Sequence, residues 1–148
     1  ALASVNTHDL PPAAGYLEYG HVKLREQLGL LSGPVEEFQK SAEAEHNAML
    51  SMLVDEGYLD ASALEDELAN ENEIIDALYR GLKGSPCKLM AASIVDAVGE
   101  KRTQNQPGTS NEYPNWRIPL ADGDGNVVPL EQLFDNTRLQ EIAAIMCG

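Results

Sequence analysis

Ala3-Ser-Val-Asn-Thr-His-Asp-Leu-Pro-Pro12 decides how the chain begins to fold, and the other segments are read outward from it. Leu2 to Val5 is a short β-prone run. It leads into Asn6, Thr7, His8 and Asp9, after which Pro11 and Pro12 stop any regular continuation, because proline lacks an amide donor and restricts the residue before it. A His-Asp pair therefore sits just past a strand, on a loop stiffened by two prolines, and such scaffold-anchored loops are where binding and catalytic groups concentrate. The competing reading is a helix N-cap, with Asp9 ahead of the prolines. Taken alone, the stretch favours the cap, since single short motifs match by chance often.

The chain has 148 residues, about one domain. With 43% apolar and 23% charged residues it has the composition of a soluble globular protein. No apolar run approaches the ~20 residues of a membrane-spanning helix, and no basic-then-apolar signal peptide opens the chain. It begins at Ala1, already in a strand-like run and without Met, so a piece of a longer polypeptide is expected. The net charge of −14, from 24 acidic and 10 basic residues, repels nucleic acid and anionic membrane and sets both aside as partners. Cys87 and Cys147 have no CxxC spacing and no histidine cluster beside them. They read as reduced thiols of a cytoplasmic protein, Cys87 in the core and Cys147 at the terminus.

Downstream of the prolines, Ala13 to Leu30 reads as a loop followed by a helix, with Val22, Leu24, Leu28 and Leu31 near helical spacing. Leu31-Ser-Gly-Pro34 is a turn, and Pro34 suits a helix start. From Val35, apolar residues recur at Phe38, Ala42, Met49, Leu50 and Leu53 among Glu36, Glu37, Glu43 and Glu45, which predicts an amphipathic helix ending near Gly57. Ser62 to Ala69 reads as a shorter acidic helix, and Glu71 to Leu82 as another with Ile74, Ile75, Leu78 and Leu82 on one side, ended by Gly84-Ser-Pro86. Lys88 to Val95 fits a buried strand or a helix equally well. Gly99 to Ser110 must be loop, Glu112 to Ile118 is a compact aromatic segment, and a final helix is predicted from Asn136 or Thr137 to Met146.

Several constellations fail on inspection. Asp122, Asp124 and Asn126 imitate the start of a calcium loop, but Val127 stands where glycine is required and Leu133 where a bidentate glutamate is required. The Asp-Gly pairs there predict a hairpin turn instead. His8, His21 and His46 lack metal-ligand spacing, and no nucleophile elbow or phosphate-binding glycine pattern is present. Trp116, beside Pro114, reads as a core anchor with sugar stacking as the alternative. What remains is carboxylates in loops, Asp9 and Glu112. Glycoside chemistry needs two carboxylates ~5 Å apart in retaining enzymes, a condition that sequence spacing alone does not address.

Two segments together carry a family resemblance. Asn6-Thr-His-Asp-Leu-Pro-Pro-Ala-Ala-Gly-Tyr16 resembles the loop after the seventh barrel strand of 4-α-glucanotransferases (amylomaltases, or disproportionating enzymes). Asn105-Gln-Pro-Gly-Thr-Ser-Asn-Glu-Tyr-Pro-Asn-Trp-Arg117 resembles their C-terminal signature, the longer and more specific of the two. The resemblance implies an α/β fold, the last two or so β/α units of a (β/α)8 barrel, predominantly helical when isolated. Residues 1–20 would hold strand seven and the His-Asp loop, 21–84 an acidic helical region, and 85–148 strand eight, the signature loop and a C-terminal helix. It further implies that Asp9 is the third catalytic carboxylate, stabilising the oxocarbenium-like transition state, that His8 hydrogen-bonds the same sugar, and that Asn105 reaches the acceptor side. Glu112 to Arg117 would be structural. The implied reaction is retaining transfer of α-1,4-glucan segments between maltodextrins in the cytoplasm, with no metal or organic cofactor. The partners are α-glucans and the remainder of the parent barrel, whose nucleophilic aspartate and acid/base glutamate have no matching position here. Two other readings compete: a non-catalytic acidic helical interaction module, which makes no use of Asp9, and a complete small hydrolase pairing Asp9 with Glu112.

Overall fold

In the computed structural model, which describes residues 1–148, two short parallel strands are joined by a long helical excursion. Strand β1, Leu2–Ser4, pairs with β2, Leu89–Ala91, in the register Leu2 with Leu89, Ala3 with Met90 and Ser4 with Ala91. Parallel neighbours require a crossover, here supplied by helices α1 (Ala13–Leu17), α2 (Gly20–Gln27), α3 (Val35–Asp55) and α4 (Glu71–Gly84). After β2 come α5 (Ile94–Ala97), an irregular stretch over residues 98–129, α6 (Leu130–Leu133) and α7 (Thr137–Cys147). No helix is long and apolar enough to cross a membrane.

The long helices form where periodicity and caps agree. In α3, Ala42, His46, Leu50 and Leu53 fall on one buried stripe, and Glu36 and Glu37 sit in the first turn, where the helix dipole favours negative charge. Gly57, at φ 74°, ends the helix in a Schellman turn: the Tyr58 amide donates to Leu53 O at 2.8 Å and the Gly57 amide to Val54 O at 3.0 Å. Helix α4 is the centre of the core, with Ile74, Ile75, Ala77 and Tyr79 all fully buried. It packs on α1, α3 and α7. Arg138 of α7 reaches Asp76 of α4 at 2.8 Å, and Lys83 donates to Met146 O at 2.7 Å. Helix α7 starts as predicted, with the Asn136 side chain accepting from the Leu139 amide.

The structure corrects several local expectations. The loop expected between the prolines and the first helix is absent, since α1 starts at Ala13 directly after Pro12; the Ala13 amide is capped by Asp96 from 83 residues away, a partner no local pattern reveals. Asp9 caps no helix: Leu10 N–H closes a turn on Thr7 O at 3.1 Å, and the cap residue of α1 is Pro12. Ser62 to Ala69 does not form an α-helix. A 3-10 helix over Ala61–Glu65 gives way to turns in which Asp66 and Asn70 side chains bond nearby backbone, the competition that disfavours these residues inside helices. The ambiguous Lys88 to Val95 run is divided, β2 first and the start of α5 after it. Cys87 is half-buried rather than core. The Asp122 segment is a hairpin turn, with Ala121 bridging Val127 and Asp122 Oδ1 accepting the amides of Asp124 and Asn126.

Candidate active site

The His-Asp loop leaves the end of β1 as a turn over residues 7–10, and the segment 103–105 runs beside it. Asn105 N–H donates to His8 O at 3.1 Å, and Thr103 Oγ1 donates to Leu10 O at 3.0 Å. Asn105 Nδ2 then donates to Asp9 Oδ1 at 2.6 Å, while His8 Nε2 lies 3.3 Å from that same oxygen. Residues 96 positions apart in sequence therefore converge on one carboxylate. His8, Asp9 and Asn105, the three residues singled out from sequence, stand together. The side chains of His8 and Asp9 remain 56% and 46% exposed, open to a ligand. Asp9 borders a cleft of 420 Å³ that also touches His21, Arg25 and Gln106, and His8 borders a second cleft of 350 Å³. Both are within the range usual for small-molecule sites.

The segment carrying Asn105 is held by its own side chains. Asn115 accepts from the Gln106 amide at 2.7 Å and donates to Thr109 Oγ1 at 2.8 Å; Tyr113 OH donates to Thr103 O at 2.7 Å. Glu112 is spent on the Ser110 amide at 2.7 Å, an Asx-like local bond rather than a catalytic pairing with Asp9. At the base of the segment lies Glu100, 1% exposed. It takes a bidentate pair from Arg102 (2.8 and 2.7 Å) and the Ala121 amide at 3.0 Å. Burial pushes its carboxyl up, but the Arg102 guanidinium and the backbone amides outweigh that and hold it below the usual carboxylate range. A depressed folded value contributes stability that is present above the ordinary glutamate pKa, ~4.3, and lost as pH falls through the folded value. Glu100→Gln is expected to cost about 2 kcal/mol at neutral pH and to flatten the loss of stability between neutral pH and about pH 3. Melting temperatures of both forms across that range check it.

Trp116 corrects the expectation of a core anchor. It is 64% exposed, its backbone is left-handed at φ 60°, and its ring lies 5.0 Å from that of His8. A bulky residue at positive φ is strained and persists only where its surroundings over-determine it; here the Trp116 amide donates to Gln104 O at 2.9 Å. Sequence reading also passed over Asp96. The signal was present, since a lone carboxylate inside the apolar run Ile94 to Val98 must find donors if it is buried.

A parallel strand pair joined by helices, with a hydrogen-bonded carboxylate on the loop after its first strand, is an α/β arrangement, a class that carries its sites on the loops following the strands. The chain belongs to the 4-alpha-glucanotransferase family, whose model matches residues 1–123. It is 49% identical to the 4-alpha-glucanotransferase of Mycobacterium tuberculosis (strain ATCC 25618 / H37Rv) over 142 residues, 96% of this chain and 19% of the relative. It is 29% identical to that of Haemophilus influenzae over 143 residues, 95% of this chain and 20% of the relative. Its structure matches the crystal structure of amylomaltase from Corynebacterium glutamicum with TM-score 0.87 and 37% identity, over 99% of this chain and 21% of that one. The chain thus spans about a fifth of the length of the relatives it matches.

Proposed function

We propose that these residues form the last two β/α units of a barrel in a longer 4-α-glucanotransferase, and that they supply its transition-state-stabilising carboxylate, Asp9. β1 and β2 would be strands seven and eight, residues 21–84 the helical region between them, and 85–148 the strand, signature loop and closing helix. The observation that carries the functional reading is the convergence of His8 and Asn105 on Asp9 Oδ1, in a chain of this family. An interaction module would leave Asp9 without a task. The barrel reading is supported by the strand pair itself: parallel sheets are normally covered on both faces, yet Leu2 and Leu89, paired across it, are 66% and 64% exposed.

In the proposed reaction an α-1,4-glucan is cleaved with retention through a covalent glycosyl-enzyme, and the 4-hydroxyl of a second glucan intercepts it in place of water. The nucleophile and the acid/base group come from the remainder of the longer protein. Asp9 accepts hydrogen bonds from sugar hydroxyls of the donor and offsets the positive charge that develops at the anomeric centre. His8 orients the same sugar, and Asn105, bonded to the Asp9 carboxylate, reaches the acceptor side. Trp116, an exposed indole beside these polar groups, offers the apolar face that sugar rings stack on. The cell compartment in this reading is the cytoplasm.

Maltotriose separates the parts of the proposal. The full-length protein is expected to convert it to glucose and longer maltodextrins, and the isolated 148-residue chain to leave it unchanged. Turnover by the isolated chain contradicts the division of labour, and failure of the full-length protein contradicts the activity.

A further inference from the structure

We propose that Asp96 and Tyr79 are positioning residues for Asp9, a buried clamp that fixes both ends of the catalytic loop. Asp96 is 2% exposed and lies on α5, where it touches neither cleft beside the site. Its Oδ1 accepts from Asn6 Nδ2 at 2.7 Å and from the Ala13 amide at 2.8 Å. Its Oδ2 accepts from Tyr79 OH at 2.7 Å. Tyr79, fully buried in α4, also accepts the Ser93 amide at 3.0 Å, which ties the start of α5 to the same node. One carboxylate therefore joins the residue where the loop leaves β1, the residue where it enters α1, and the central core helix.

The residues between those ends, 7–12, carry His8 and Asp9. Their other ties are the bonds from Thr103 and Asn105 on the far side, so the loop is held at its base by Asp96 and along its flank by the signature segment. Burying a carboxylate is costly without donors. The three donors oppose the upward push of burial on its pKa without cancelling it. A serine or asparagine cap would satisfy the Ala13 amide at lower cost. What a carboxylate adds is several acceptor sites in one rigid group, enough to bond Asn6, Ala13 and Tyr79 at once. Misplacement of a catalytic group by about 1 Å can cost on the order of 100-fold in rate, so a clamp of this kind acts on turnover rather than on substrate affinity.

This inference rests on the glucanotransferase reading for its kinetic arm and is independent of it for the other. In the full-length protein, Asp96→Ala removes both acceptor oxygens and leaves the Asn6, Ala13 and Tyr79 donors without their partner. Hydrogen exchange is expected to accelerate about tenfold or more at the Leu10 and Ala13 amides, with little change in α7. In maltotriose disproportionation kcat is expected to fall about tenfold to 100-fold with KM nearly unchanged. Tyr79→Phe, which removes one donor and keeps the core volume, is expected to move both in the same direction by less. A variant that melts lower but keeps wild-type kcat and wild-type exchange at Leu10 and Ala13 overturns the proposal, because Asp96 would then be a core strut only. If the unmutated protein lacks disproportionation, the glucanotransferase reading falls, and the exchange at Leu10 and Ala13 still decides for or against the clamp.

Discussion

Asp9→Asn in the full-length protein is expected to lower kcat for maltotriose disproportionation by on the order of 10³-fold or more, with the fold retained. The substitution preserves shape and removes charge. Asn105 Nδ2 and His8 Nε2 both address Asp9 Oδ1, at 2.6 and 3.3 Å, and an amide oxygen can still accept from them. Asp9 is about half exposed, so little core packing is at stake. What is lost is negative charge next to a developing oxocarbenium ion, an interaction realised mainly in the transition state, so kcat should fall while KM moves little. Steady-state kinetics with maltotriose checks the split. Wild-type kcat in the variant would keep the family and discard Asp9 as the catalytic residue.

The second large effect concerns stability. Gly15→Ala is expected to destabilise the chain by about 3 kcal/mol, lowering its melting temperature by about 10 °C. Inside a helix the same change ordinarily stabilises by about 0.5–1 kcal/mol, so the sign is decided by packing. A Cβ on Gly15 would collide with Lys101 O and stand 3.0 Å from its carbonyl carbon. Both are backbone atoms, so no side chain can swing away. Lys101 is anchored in turn by its ion pair with Glu18 at 2.5 Å, one turn beyond Gly15 in the chain. Separation of α1 from residue 101 would also pull the signature segment away from the His-Asp loop, since Thr103 and Asn105 bond Leu10 and His8. Calorimetry or thermal melts measure the loss; an unchanged or higher melting temperature contradicts the close approach.

The long helices were legible because their information is local. Val35–Asp55 carries its stripe, its opening proline and its closing glycine within its own span, and Thr137–Cys147 carries its asparagine cap. The misreadings have the opposite character. Ala13–Leu17 is capped by Asp96, and the pairing of Leu2 with Leu89 joins residues with no local signal of each other. The parallel strand pair was reached through the family resemblance rather than through any pattern in Lys88 to Val95. The candidate site divides in the same way. His8 and Asp9 stand out in their loop, and Asn105 in the signature, but that Asn105 bonds Asp9 is a tertiary fact. The usual burial of aromatic residues places Trp116 in the core, whereas its left-handed backbone turns it out beside His8.

The most direct test of the account is a crystal structure of the full-length protein with a non-hydrolysable maltodextrin analogue. The account predicts sugar hydroxyls within hydrogen-bond distance of the Asp9 carboxylate and of His8, with Asn105 still bonded to Asp9. An analogue bound in the catalytic cleft without contact to Asp9 or His8 would contradict it.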